Sequence, residues 1–260
     1  MLKIRFGPAG LGGVKDAAGN LEEFHKLGLS ACEIAFTYGA YIKKKEDAVE
    51  IGKKAKEQNI KLSIHAPYWI NLNSKEKKKI EESKKRILDC CAIGNELGAY
   101  RVVFHPGYYA GMDKLTTYNN IKKAVIEMQQ EIKNKRWKIG LAPETTGKVN
   151  VFGSVDEILR LAQETGCSFC LDFAHILARE KSVNYEEILS KFRAYKELHV
   201  HFSGIEYGEK GERRHAETGE KELKELIENL KKYAKDKEIV IINESPSPTE
   251  DSIKGLKFVR

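Results

Sequence analysis

The sequence predicts an α/β chain folded as a single (β/α)8 barrel, and three observations carry that expectation. Eight short apolar runs alternate with charged, helically spaced stretches, the pattern of repeated βα units around a parallel sheet. The chain has 260 residues, a length common for one such barrel. Imidazoles and carboxylates recur at the C-terminal ends of the apolar runs, where the mouth of a parallel barrel lies.

The strand-like runs are LKIRF (2–6), ACEIAF (31–36), KLSIHA (61–66), RVVFH (101–105), KIGLAPE (138–144), SFCLDF (168–173), ELHVHF (197–202) and EIVIINE (238–244). Between them lie LEEFHKLG, KEDAVEIGKKAKEQ, the long stretch 74–98, NNIKKAVIEMQQEIKN and SVDEILRLAQETG. NYEEILSKF, KELKELIENLKKYAKD and a short EDSIKGLKFV follow. The stretch at 154 opens with Ser154, then Asp156 and Glu157, which favours a helix N-terminus. An open doubly wound sheet is the alternative, and it would carry a phosphate-binding glycine turn after its first strand. GPAGLGG (7–13) lacks the G-x-G-x-x-G spacing and reads as a flexible βα loop. With no composition break, Pro-rich linker or low-complexity segment, residues 1–260 are expected to form one domain.

Charged residues make up 32% of the chain and its net charge is +7. That excess permits a polyanionic partner without requiring one. The five cysteines, Cys32, Cys90, Cys91, Cys167 and Cys170, form no disulfide framework, so a reducing, cytoplasmic location is expected. Cys167 and Cys170 form one C-x-x-C, read as buried core thiols. No apolar run reaches the ~18 residues of a membrane span, and the start of the chain lacks a signal-peptide core. The sequence says little about oligomeric state.

His65, His105, Glu144, Asp172, His201 and Glu244 terminate runs three to eight. His175 falls in the expected loop after run six, and His215 in the long loop after run seven. A barrel would bring these eight groups to one crater. Imidazole with carboxylate suits zinc or another divalent transition metal such as manganese. Eight ligands exceed what one ion takes, which suggests two or three ions with a bridging carboxylate. His25, in a helix, and His199, expected to face away from His201 towards the surrounding helices, are left as structural residues.

HAPYWINL, FHPG, the run-five Glu, LDFAH, HVHFSG and the run-eight NE together resemble endonuclease IV, the zinc-dependent apurinic/apyrimidinic endonuclease family. It belongs to a wider TIM-barrel superfamily with xylose-isomerase-like isomerases and ketose 3-epimerases. The resemblance implies cleavage of DNA 5′ to abasic sites. It implies that His65 and His105 hold a first zinc, that Glu144 bridges to a second held by Asp172, His201 and Glu244, and that His175 and His215 hold a third. Tyr68 resembles the family's DNA-contacting tyrosine, and Lys148, Arg213 and Arg214 are expected to meet backbone phosphates. Two departures stand out. The Asp that the family places two residues before the histidine matched by His215 is replaced by Arg213, with Glu212 one step earlier, so either Glu212 substitutes or the third metal is weakened or absent. The basic residue inserted after strand two has no counterpart in TYGAYIKKK, where Tyr38 or Tyr41 offers a wedge. The rival reading is a sugar isomerase or ketose 3-epimerase acting on a small sugar, with one metal on Glu144, Asp172, His201 and Glu244 and the two glutamates as acid/base pair. A metal-binding protein without catalysis is a third.

Overall fold

The computed structural model describes residues 2–259. Eight strands form the barrel: β1 (Lys3–Pro8), β2 (Ala31–Ala35), β3 (Lys61–His65), β4 (Arg101–Phe104), β5 (Gly140–Pro143), β6 (Leu171–Asp172), β7 (Glu197–Phe202) and β10 (Glu238–Asn243). All pair in parallel, in two arcs ordered β1-β10-β7-β6 and β2-β3-β4-β5. Single parallel bridges, Ala9 with Glu33 and Glu144 with Cys170, close the two seams. The barrel expected from the sequence is therefore the barrel observed.

Strand alternation divides the side chains between two environments. Ile34, Leu62, Ile64, Val102, Phe104, Leu141, Leu198, Val200, Ile239 and Ile241 pack into the layer beneath the helices and are fully or nearly buried. The inward set is smaller and more polar, with Ala31, Val103 and Ala142 beside Glu33, Ser63, His199 and His201. In β1 this interior leaves no room for a Cβ at Gly7, which would fall 1.6 Å from the Ala31 carbonyl oxygen.

The helices start and stop on local chemistry. Ser154 caps α5 (Val155–Thr165) in a capping box with Glu157, and the helix ends at Gly166 with φ 70°, the left-handed stop that glycine adopts without a Cβ clash. The first acid-bearing helix, α1 (Ala17–Lys26), begins only after the glycine-rich loop, as expected of a βα loop.

Two segments differ from the sequence expectation. Residues after β6 form a helix, α6 (Phe173–Glu180), capped by Asp172, whose Oδ1 accepts from the His175 N–H at 2.7 Å. His175 therefore sits in the first turn of a helix, held by the cap, and not in a loop. Residues after β7 form an antiparallel hairpin, β8 (Gly204–Gly208) and β9 (Gly211–Ala216), so His215 stands on a strand. Its polar, glycine-bounded sequence conceals this because neither strand buries a full apolar face.

Candidate metal centre

The strand ends converge as predicted, and Glu144 lies at the centre. Its side chain is fully buried, with Oε2 3.1 Å from both His65 Nε2 and His105 Nε2. Its Oε1 is 3.2 Å from His201 Nδ1 and 3.3 Å from His175 Nδ1. One carboxylate thus turns each oxygen towards a different pair of imidazoles. Glu244 Oε2 lies 3.4 Å from His201 Nδ1, and Asp172 Oδ2 lies 3.3 Å from His175 Nδ1.

The crater opens as a cavity of about 390 Å³, walled by His65, His105, His175, Glu212, His215 and Glu244. Around it the ligand-type atoms form three groups, each with members within 4.8 Å of one another: His65, His105 and Glu144; Glu144, Asp172, His201 and Glu244; and Asp172, His175 and His215. On the crater side, Asp172 Oδ2 and His175 Nε2 are buried without a hydrogen-bond partner. Buried polar atoms are seldom left so, and nitrogen and carboxylate oxygen are the donors zinc takes. The donor set fits a divalent cation.

The electrostatics show how tightly these groups are coupled. Burial alone would raise the Glu144 carboxyl, but His105 and His201 hold it well below the usual carboxylate range. Burial opposes charge on His65 and His175 as well, yet the facing carboxylates lift His65 to about 9 and His175 to about 10. Asp172 is raised, first by burial and then by Glu144 and Glu244.

The hairpin resolves the missing acid beside His215. Ile205 pairs with His215, Glu206 with Arg214 and Tyr207 with Glu212, so Arg213 is the extra residue of a β-bulge. Without the bulge, residues 212 and 215 would face opposite sides of the strand. With it, Glu212 Oε2 reaches 3.5 Å from His175 Nε2 and its Oε1 4.0 Å from His215 Nε2. Gly147 permits the approach, since a Cβ there would fall 2.6 Å from the Glu212 Cβ. Ser203 holds His215 in turn, with Oγ 2.6 Å from Nδ1.

The residues expected to meet DNA are placed unequally. Tyr68 and Lys148 line the crater, and Tyr68 is 63% exposed. Arg213 lies with its guanidinium against Gly208, and Arg214 pairs with Glu206 at 2.7 Å on the exposed side of the hairpin. Neither arginine lines the crater wall. Of the candidate wedges, Tyr38 is 87% exposed, whereas Tyr41 donates to the Gly12 carbonyl at 2.9 Å. Trp69, exposed beside Tyr68, was not singled out from the sequence.

One expectation fails outright. His199 does not face the helices: residues two apart on a strand share a face, and His199 points into the barrel with His201. Its Nε2 lies 3.1 Å from Glu33 Oε2. Glu33 is itself a buried acid that the sequence reading passed over, although a carboxylate inside the apolar run ACEIAF was a visible signal. His25 fits its structural reading, on the helix surface with Nδ1 3.0 Å from the Gln58 carbonyl oxygen. Cys167 and Cys170 are buried free thiols, and burial pushes Cys167 up to about 11. Among the described residues no helix is long and apolar enough to cross a membrane.

Comparison with known proteins agrees with this architecture. The model of the xylose isomerase-like TIM barrel family matches residues 21–260. An uncharacterised protein of Methanocaldococcus jannaschii is 37% identical over 98% of this chain and 97% of its own. A probable endonuclease 4 of Mycobacterium marinum is 29% identical over 52% of each chain, so the match spans about half of that relative. Endonuclease IV from Thermus thermophilus superposes with a TM-score of 0.72 at 21% identity, covering 99% of this chain and 97% of that one. D-psicose 3-epimerase from Clostridium cellulolyticum does so with a TM-score of 0.68 at 13% identity, over 99% and 96%. At such identities the two structures speak for the fold alone.

Proposed function

From the premise that the chain belongs to the xylose isomerase-like TIM barrel family, we propose that it is a zinc-dependent phosphodiesterase of the endonuclease IV type, cleaving DNA 5′ to abasic sites. The observation that carries the reading is the division of Glu144, with Oε2 towards His65 and His105 and Oε1 towards His175 and His201. A carboxylate so divided suits a bridge between ions, and an aldose or ketose site built on one ion needs no second set of imidazoles.

In this reading His65, His105 and Glu144 hold one ion, and Glu144, Asp172, His201 and Glu244 a second. His175, His215 and Glu212 hold a third, with the bulge at Arg213 bringing Glu212 to the seat of an absent aspartate. Zinc bound there supplies Lewis-acid charge neutralisation at a phosphoryl group and acidifies water near neutral pH. The protein's part is to hold these ligands in register, keep their ring nitrogens turned to the crater, and admit the substrate. Tyr68 at the rim offers an aromatic face to an unstacked nucleotide, and an abasic nucleotide leaves the duplex at lower cost than a paired one. Lys148 supplies a cation for backbone phosphate.

The second reading is a ketose 3-epimerase, favoured by one observation: Glu144, Asp172, His201 and Glu244 alone form a complete four-ligand group. The deciding experiment is incubation of the zinc-supplemented protein with a duplex carrying one abasic-site analogue, with a chelator control. Incision 5′ to the site, lost on chelation, is expected. A protein that takes up metal and leaves the duplex intact, while epimerising a ketose, overturns the nuclease reading.

A further inference from the structure

One layer below the crater lies a buried polar chain that none of the proposed ligands explains. Glu33 is fully buried in the middle of β2. Its Oε2 accepts from Ser63 Oγ at 2.7 Å and lies 3.1 Å from His199 Nε2. His199 Nδ1 is 2.5 Å from the Tyr100 hydroxyl. Burial pushes the Tyr100 phenol up, so it keeps its proton. A phenol that donates to Nδ1 leaves the His199 proton on Nε2, directed at Glu33. Two donors then occupy Oε2. The remaining oxygen, Oε1, has no hydrogen-bond partner of good geometry and lies 3.0 Å from Nε2 of His201.

His201 therefore stands between two carboxylate environments, with Nδ1 on the crater side and Nε2 on the Glu33 side. A neutral imidazole carries one proton, and a metal takes the bare nitrogen. A carboxylate on the far nitrogen settles which one is bare and raises the ligand's basicity. We infer that Glu33, clamped by Ser63 and His199, is the positioning residue that keeps the proton of His201 on Nε2 and so presents Nδ1 to the crater. The inference rests on His201 being a metal ligand and is independent of the substrate. Cys170, His199 and His201 also cluster within 4.8 Å, but both His199 nitrogens are already engaged. A cation placed there would displace protons from a satisfied network.

The test uses the full chain, with zinc as the probe. Zinc affinity is measured by competition with a chromophoric chelator, with stoichiometry at saturation, for the wild type and Glu33→Gln. Histidine 15N spectra of the zinc-loaded proteins report the tautomer. A glutamine cannot accept from all three donors, so Glu33→Gln is expected to bind zinc at the His201 site about 10- to 100-fold more weakly, with unchanged stoichiometry. The wild type is expected to show an exchange-protected Nε2–H on His201. Ser63→Ala, which loosens the clamp without touching His201, is expected to lose less than about tenfold, and serves if Glu33→Gln does not fold. Unchanged affinity in a folded variant overturns the inference. So does the loss of one ion per chain at saturation, which would make Glu33 a ligand. A wild type that takes up no zinc overturns both this inference and the metal reading it rests on, through a different arm of the same experiment.

Discussion

The two ends of the barrel both concentrate charge, and they do so in opposite ways. At the N-terminal end Arg5, Lys61 and Arg101 interleave with Glu197 and Glu238. Arg5 Nε lies 3.3 Å from Glu238 and Lys61 Nζ 3.2 Å from the same carboxylate. Lys61 and Arg101 both pair with Glu197, and Arg101 Nη1 donates to the Phe169 carbonyl at 3.1 Å. There each carboxylate has its own fixed cation. At the C-terminal end four carboxylates, Glu144, Asp172, Glu212 and Glu244, meet five imidazoles and pair with no lysine or arginine among the described residues, and Asp172 Oδ2 and His175 Nε2 are left buried without partners. An ion network at the bottom, whose carboxylates are all matched by cations although Arg101 Nε is buried without a partner, serves the fold. The one at the top leaves imidazole and carboxylate donors in an arrangement that fits a divalent cation.

Glu144→Gln should break the comparison most sharply, because it strikes the top alone. Turnover on an abasic duplex is expected to fall by more than about a thousandfold, since several kcal/mol of metal-assisted stabilisation depend on the bridge. Circular dichroism should remain that of the wild type. Normal turnover would remove Glu144 from the centre. At the bottom, Arg101→Met should do the reverse. It leaves Glu197 with Lys61 alone and the Phe169 carbonyl unpaired, a loss of about 3 kcal/mol in urea unfolding. The zinc stoichiometry should stay as it was.

The pH dependence sharpens the contrast. Against the desolvation that opposes their charge, the facing carboxylates raise His65 to about 9 and His175 to about 10, from 6.5 for a free imidazole. Both are charged at pH 7 and must shed protons to bind a metal. Zinc affinity should therefore rise with pH up to this range. Below about 9, each proton displaced lowers it by about tenfold per pH unit. Calorimetry in buffers of different ionisation enthalpy should detect the released protons, and a flat profile would contradict the coupling. Glu212→Gln should act on a single site, lowering affinity for one ion by about 10- to 100-fold while the others stay bound. Equal weakening of all ions would dissolve the separate third site. The smallest effect is expected from Arg214→Ala. Its pair with Glu206 is exposed and screened by solvent, and it lies outside the crater wall, so incision and thermal midpoint should barely move. A large drop in DNA affinity would return Arg214 to the interface.

Most of the site was legible because a parallel barrel converts chain position into spatial position. A residue at a strand's C-terminal end reaches the mouth whatever its distance in sequence, so His65, His105, Glu144, Asp172, His201 and Glu244 could be read from apolar runs alone. Glu33 escapes a reading of strand ends because it lies inside β2. His199 was misplaced by an error of parity. Glu212 was visible only as a substitute at the wrong spacing, since a bulge leaves little trace in composition. Arg213 and Arg214 belong to a hairpin, and sequence alone does not reveal which face of it carries each side chain.

The barrel, its strand order and the donor types at its mouth follow from sequence pattern. Hydrophobic periodicity and chain connectivity are local properties, and a right-handed βα repeat leaves few alternatives. Packing sets which oxygen of Glu144 faces which imidazole pair, that Arg213 is bulged out so that Glu212 can turn in, and that Glu33 stands behind His201. Those are relations between residues from different strands, set to within an ångström by packing. No local pattern encodes them.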